Sequence, residues 1–273
     1  MSEKFIKPWW YWFYQLYKWP VFLPLMIVNT IFCAVFAALV SILVNPRIGS
    51  YFGMLWARIT CWIAPVRVKI HGQKNFERGQ SYVIVANHQT GFDIFLLYAY
   101  LGIDFKWLMK KELRKMPLVG YASEKVGHIF VDRSSPMTAV HSLEEARHKL
   151  KKGTSVIIFP EGARSGREEM LPFKRGAFKL ALELELPVLP VTIVNSWRIK
   201  RPGFWNIVPG RAALVIHSPV NTCDYKDRPE ELRDVIRRTI QTTNDGSFAR
   251  IREYQRFETE PEEQKLTIYD ETV

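Results

Sequence analysis

The stretch Tyr82-Val83-Ile84-Val85-Ala86-Asn87-His88-Gln89-Thr90-Gly91-Phe92-Asp93 decides how the chain is read. Its first five residues are apolar without alternation, the pattern of a strand buried on both faces of a parallel sheet. The polar run that follows puts His88 and Asp93 five positions apart where that strand ends. Open α/β sheets gather ligand chemistry at this end of their strands. About seventy residues later a second apolar run, Ser155–Phe159, leads into Phe159-Pro160-Glu161-Gly162-Ala163-Arg164-Ser165. The first block offers a base and an orienting carboxylate, and the second offers an arginine for an anion. Together they point to a hydroxyl nucleophile on an anionic substrate.

Outward from these blocks, strand and helix signals alternate. Val66–His71 alternates in period two, and strands are expected near 105–108, 128–131, 188–194 and 212–217. Helices are expected over 94–100, 110–115, 136–151, 174–184 and 230–243, the fourth after Gly153 has closed the third. The alternation predicts an α/β fold with a mainly parallel sheet flanked by helices. At 273 residues the chain suits one large domain with an appendage, or two small domains. The division expected is 1–64 as membrane-associated N-terminal helices, 65–250 as the α/β domain and 251–273 as an acidic tail.

The N-terminal part carries the membrane signal. Val21–Val44 is 24 residues without a charge, enough to span a hydrocarbon core of roughly 30 Å. Four tryptophans lie in the first nineteen residues with lysines beside them, a composition suited to a lipid–water interface. Tyr51–Ala64 is apolar but too short to span, and reads as a second, surface-lying helix; a helical hairpin results. Basic residues flank Val21–Val44 on both sides, and Pro24 and Asn29 leave a re-entrant pair open beside a spanning helix. A buried hairpin of a soluble protein is the bland alternative.

The net charge is +11, and since the last seventeen residues hold six acidic groups and one lysine, the remainder carries +16. That balance favours anionic partners: phosphates, nucleic acid or an anionic membrane. No helix-turn-helix, zinc or RNA-binding signature accompanies it, so nucleic acid is not expected. Three cysteines far apart form neither a metal spacing nor a disulfide framework.

Taken alone, each block also has an ordinary structural reading. Asp93 can be a helix-capping carboxylate beside a polar histidine, and Arg164 a solvated arginine after a turn. As chemistry, His88 has an imidazole able to take a proton near neutral pH, and Asp93 can fix its tautomer. Gly162 permits close backbone approach, and the N–H groups after it are expected to face an anion, with Arg164 as a bidentate partner. Glu161 either orients Arg164 or is a second site carboxylate. A metal-dependent hydrolase would need a third ligand beside His88 and Asp93, and the sequence offers none. His71, His128, His141, His148 and His217 show no partner pattern.

Four blocks in order make the chain resemble the 1-acyl-sn-glycerol-3-phosphate acyltransferase family. Asn87-His88 with Asp93 is similar to its Asn-His-x-x-x-x-Asp block, and Gly127–Arg133 to its second block. Phe159–Ser165 resembles its Phe-Pro-Glu-Gly-Thr-Arg-Ser block, and Leu186–Val191 its apolar run around a proline. Lys110-Lys111-Glu112-Leu113 is also similar to a family segment. The resemblance implies transfer of an acyl group from a thioester, acyl-CoA or acyl-carrier protein, to the sn-2 hydroxyl of lysophosphatidate, with no cofactor or metal. His88 is then the general base and Asp93 its orienting residue. Arg133, Glu161, Gly162 and Arg164 are implied in binding the glycerol phosphate, with Asn87 and Lys110 supporting. It further implies docking on the inner membrane with the catalytic domain on the cytoplasmic face. Ala163 departs from the family's usual threonine. The lost hydroxyl removes one hydrogen bond of order 1 kcal/mol and leaves another lyso-lipid or glycerol-3-phosphate open as acceptor. A non-catalytic basic membrane-binding protein is the distant alternative.

Overall fold

The computed structural model describes residues 10–131, 153–201, 203 and 206–244. The expected helix over 136–151, Arg133 and the acidic tail lie outside them. The chain starts with α1 (Trp10–Tyr17), a π-helical stretch (Lys18–Phe22) and α2 (Leu23–Leu43). Tyr11–Leu43 is a 33-residue helix long and apolar enough to cross a membrane by length and composition. Pro20 sits in the π-helical stretch. Proline has no N–H and its ring collides with the carbonyl four residues back, so a locally widened turn lets the helix continue.

Asn45, whose side chain accepts from Arg47 N, caps α3 (Pro46–Ile63), which runs back along α2. The second helix thus begins five residues earlier than Tyr51, because the Asn-Pro pair supplies both the cap and a proline at the first helical position. The α2 face turned toward α3 carries Asn29, Cys33, Ala37 and Ser41, small or polar and buried. Asn29 Nδ2 donates to Trp56 O (3.0 Å) and Thr60 Oγ1 (3.2 Å), and Trp56 Nε1 donates to Thr30 Oγ1 (2.9 Å). The outward face is apolar and exposed: Ile27, Val28, Ile31, Phe32, Leu39, Ile42 and Leu43.

The strands are β1 (Val66–His71), β2 (Val83–Ala86), β3 (Phe105–Lys110), β4 (Ile129–Val131), β5 (Ser155–Ile158), β6 (Val188–Val194) and β7 (Gly210–Ile216). They form one sheet in the order β1-β7-β6-β2-β5-β3-β4. Strands β2 to β6 are mutually parallel; β7 runs antiparallel to β6, and β1 is parallel to β7. The remaining helices are α4 (Asp93–Tyr100), α5 (Val119–Lys125), α6 (Gly176–Leu184), α7 (Ser196–Ile199) and α8 (Pro229–Asn244). The expected basic helix near 110–115 is a 3-10 turn, Lys111–Lys115.

Both faces of β2 are buried, as its unbroken apolar run demands. Ile84 and Ala86 join the core shared with α4 and the N-terminal helices through Phe22, Met26, Ala57 and Cys61. Val83 and Val85 face α6 and α8, the latter through Leu232, Ile236 and Ile240, spaced one per turn. Two consequences position the site. First, β2 and β5 are neighbours in register, Val85 beside Ile158, so the loops after them leave the sheet side by side. Second, α4 starts at Asp93, so the chain bends from strand to helix within six residues of Ala86.

Candidate active site

His88 and Asp93 meet. The strand-to-helix bend brings His88 Nδ1 within 2.8 Å of Asp93 Oδ2. The same oxygen accepts the backbone N–H of Gln89 (2.7 Å) and Thr90 (2.9 Å). Its other oxygen accepts the hydroxyl of Ser196. Asp93 is fully buried. An isolated carboxylate there would be costly, and these donors meet that cost. With Nδ1 engaged, Nε2 is the ring nitrogen open to a substrate. The imidazole lies flat against Phe159, ring centroids 3.8 Å apart and planes 10° apart. Phe159 stacks in turn on Trp107 (5.9 Å).

The second block closes on the first. Ser165 N donates to His88 O (2.9 Å) and Gly166 N to Gln89 O (2.9 Å). Gly162 N donates to Phe159 O (3.1 Å). Of the N–H groups after Gly162 that were expected to face an anion, those of Ser165 and Gly166 instead tie the turn to the histidine loop. Gly162 has φ +73°, a conformation that favours glycine, and Lys174 lies across it with Nζ 2.9 Å from where a Cβ would stand.

Glu161 neither pairs with Arg164 nor faces outward. It is buried, and its two carboxylate oxygens accept His88 N (2.7 Å) and Leu171 N (2.8 Å). Burial pushes its pKa above the ordinary carboxylate value, against the opposing pull of the two N–H donors. Asn87 is structural as well. Its side chain donates to Ile193 O (2.9 Å) and accepts Ile193 N (2.7 Å), continuing the pairing of β2 with β6 by one side-chain rung.

The cations sort differently from their sequence order. The Arg164 guanidinium lies over Gly91, where a Cβ would come within 3.4 Å of it, so Arg164 belongs to the rim of the histidine loop. Lys174 crosses Gly162, and Lys200 is close enough to Arg164 that, after burial, its charge helps to lower the lysine's pKa. Lys110 stands on β3, two strands from β2, ion-paired with Glu112 at 3.4 Å. Arg133 lies outside the described residues.

Sequence reasoning missed Ser196, Lys200 and the Phe159 stack, which all arise between segments distant in the chain. It also gave His128 and His217 no partners. In fact His128 Nε2 is 3.3 Å from Tyr98 Oη, and His217 Nε2 is 2.8 Å from Thr192 Oγ1. An apolar cavity of about 80 Å³ lies between α2, α3, α4 and α5, with Cys33, Ala37, Trp56, Tyr98 and Val126 in its wall and His128 at its edge. Tyr98 packs edge-on against Trp107 (6.0 Å), so the cavity wall and the His88 stack share one aromatic chain. Among the described residues no group of three or more His, Cys, Asp or Glu could hold a metal ion.

Comparison with known proteins gives the family. A family model described as Acyltransferase matches residues 67–194, which hold both loops. The chain is 30% identical to the 1-acyl-sn-glycerol-3-phosphate acyltransferase of Saccharomyces cerevisiae over 215 residues, 75% of this chain and 70% of that one. It is 32% identical to the protein of the same name from Limnanthes alba over 180 residues. That match covers 66% of this chain and spans 63% of the Limnanthes protein's length. The crystal structure of the 1-acyl-sn-glycerophosphate (LPA) acyltransferase, PlsC, from Thermotoga maritima superimposes with a TM-score of 0.70. It is 28% identical, with 82% of this chain and 92% of that chain covered. A paired histidine and aspartate at the end of a central parallel strand, a glycine–arginine turn locked to it and these likenesses agree: the chain belongs to the 1-acyl-sn-glycerol-3-phosphate acyltransferase family.

Proposed function

We propose that the protein transfers a fatty acyl group from a thioester, acyl-CoA or acyl-carrier protein, to the sn-2 hydroxyl of 1-acyl-glycerol-3-phosphate, giving phosphatidate. The observation that carries this reading is the 2.8 Å contact of His88 Nδ1 with the buried Asp93 carboxylate. It fixes the tautomer with Nε2 as base. Nε2 takes the proton of the acceptor hydroxyl as its oxygen bonds to the thioester carbonyl carbon. The C–S bond then breaks, and the thiolate leaves with the proton returned from the imidazolium. Asp93 stabilises that imidazolium while it exists. No acyl-enzyme is needed.

Arg164, with Lys200 near it and Lys174 across Gly162, supports recognition of a phosphate at the rim, and Arg133 is carried by the resemblance as a further contact. Glu161 and Gly162 serve the phosphate indirectly, by holding the turn against His88. The exposed apolar face of α2 supports attachment to the inner membrane, where lyso-lipids reside, with the catalytic domain toward the cytoplasm and its soluble donors.

The test is acyl transfer in detergent from labelled acyl-CoA, with acyl-carrier protein in parallel as donor. Lysophosphatidate, glycerol-3-phosphate and lysophosphatidylcholine serve as acceptors. Product with lysophosphatidate, reduced about 10²–10⁴-fold in His88→Ala, is expected. Wild-type turnover in that variant would refute the general-base mechanism. Product only with another acceptor would keep the chemistry and change the substrate. Arg164→Ala is expected to raise KM for the phosphorylated acceptor more than it lowers kcat.

A further inference from the structure

We propose that Ser196 is a positioning residue for the His88–Asp93 pair, holding the carboxylate oxygen that is turned away from the imidazole. The proposal rests on the general-base reading of that pair. Ser196 lies 103 residues from Asp93, outside every block that drew attention to the site. It reaches Asp93 because β6 ends in a sharp turn: Asn195 takes φ 65°, ψ 13°, the left-handed conformation that asparagine tolerates. The turn folds the chain back over the end of β2, which is the neighbour of β6. Ser196 is fully buried there.

The distribution of donors on Asp93 is uneven. Oδ2 accepts His88 Nδ1, Gln89 N and Thr90 N, whereas the Ser196 hydroxyl goes to Oδ1. Three donors hold Oδ2, and the Ser196 hydroxyl holds the opposite oxygen, so the carboxylate plane is clamped from both ends. Ser196 is itself held. Its oxygen is 3.1 Å from Gln89 Oε1, and Thr90 Oγ1 approaches it at 3.5 Å. Gln89 Nε2 donates to Asn244 Oδ1 (3.1 Å) at the end of α8, and Asn244 Nδ2 donates to Glu168 O. The hydroxyl has one proton and two acceptors in reach, and Asp93 is the closer. The network therefore joins β6, α8 and the second loop to the carboxylate.

Donation from Ser196 draws negative charge toward Oδ1 and away from the oxygen that faces His88. Removing it leaves a buried lone pair without its donor and loosens the carboxylate's hold on the imidazole. Two effects follow for Ser196→Ala: kcat falls about tenfold with KM within about twofold, since the loosened carboxylate no longer holds the imidazole in line for proton transfer. The acid limb of the kcat/KM profile moves upward, because more of the charge then faces the imidazole. Ser196→Thr, which keeps the donor, is expected to retain the wild-type limb.

The experiment compares pH–rate profiles of wild type, Ser196→Ala, Ser196→Thr, Asp93→Asn and the Asp93→Asn/Ser196→Ala double variant, with His88→Ala as reference. A raised limb, and no further loss from Ser196→Ala once Asp93 is Asn, support the proposal, because a residue acting through Asp93 has nothing left to act on. A folded Ser196→Ala protein with the wild-type kcat and limb overturns it. So does a loss that persists in full in the Asp93→Asn background. If His88→Ala is inactive while Ser196→Ala is normal, only this inference fails; if His88→Ala is active, the general-base reading fails first. If Ser196→Ala does not fold, Ser196→Cys replaces it, keeping the size but donating only weakly.

Discussion

At the scale of single residues, the loop after β2 separates groups that can meet a substrate from groups that hold them. His88 and Arg164 face the rim; Asn87, Asp93 and Glu161 are buried beneath it. Asn87 gives the clearest stability prediction. Asn87→Ala removes both bonds to Ile193 and leaves a buried N–H and C=O unpaired. A cost of about 2–5 kcal/mol is expected, read as a lower urea midpoint with unchanged m. An unchanged midpoint would show that water replaces the rung. The His88–Asp93 pair was legible in the sequence because its contact is local, five residues apart at a strand end. Glu161 was legible as a site residue but not in its role. Whether a carboxylate faces substrate or braces a neighbouring backbone depends on the loop beside it, which comes from elsewhere in the chain.

At the scale of elements, α2 inverts the usual arrangement of a soluble helix. Its small and polar residues face protein and its large apolar residues face outward. Close approach to α3 depends on Gly49, where a Cβ would lie 1.9 Å from Ser41 Oγ and 2.8 Å from Ala37 O. Gly49→Val is expected to cost about 1–3 kcal/mol through overpacking, seen as a lower Tm in detergent. Gly176→Ala, at the start of α6 with no atom within 4 Å of the added Cβ, is the matched control and should leave Tm unchanged or raise it slightly. The membrane proposal makes its own prediction here. Placing aspartate at Ile31, Val35 and Leu39, one per turn on the exposed face, should release the protein from phospholipid vesicles in a flotation assay. Its circular dichroism should not change. Continued flotation would move the attachment elsewhere. The apolar run itself showed that a helix exists, but not which face meets α3, because a helix apolar on all sides has no stripe to read.

At the scale of the whole molecule, the buried His128 and the half-buried His217 link folding to pH. Burial, reinforced by Lys106, lowers the pKa of His128 from 6.5 to about 3, and burial lowers that of His217 to about 4. In both, the depressed folded value means that stability is complete above about pH 6.5. It is lost as the pH falls toward the folded values, because the unfolded chain binds the proton first. Each histidine contributes a slope of at most about 1.4 kcal/mol per pH unit in that window. Unfolding free energy measured from pH 7 to 4 should therefore fall. His217→Gln should flatten part of that fall, and an unchanged slope would assign the acid sensitivity to other groups.

The sequence by itself determined that the sheet is mainly parallel, that residues 21–63 form apolar helices, and that His88, Asp93 and Arg164 lie where strands end. Each rests on local periodicity or on residues close in the chain. Only the tertiary structure decided that β6 and β7 run antiparallel, that Glu161 and Asn87 brace backbone, that the N–H groups of Ser165 and Gly166 are used internally, and that Ser196 completes the carboxylate's donors. These depend on strand order and register, which bring together segments up to about a hundred residues apart. A serine, a glutamate or an amide carries no pattern along the chain that tells which neighbour it will meet.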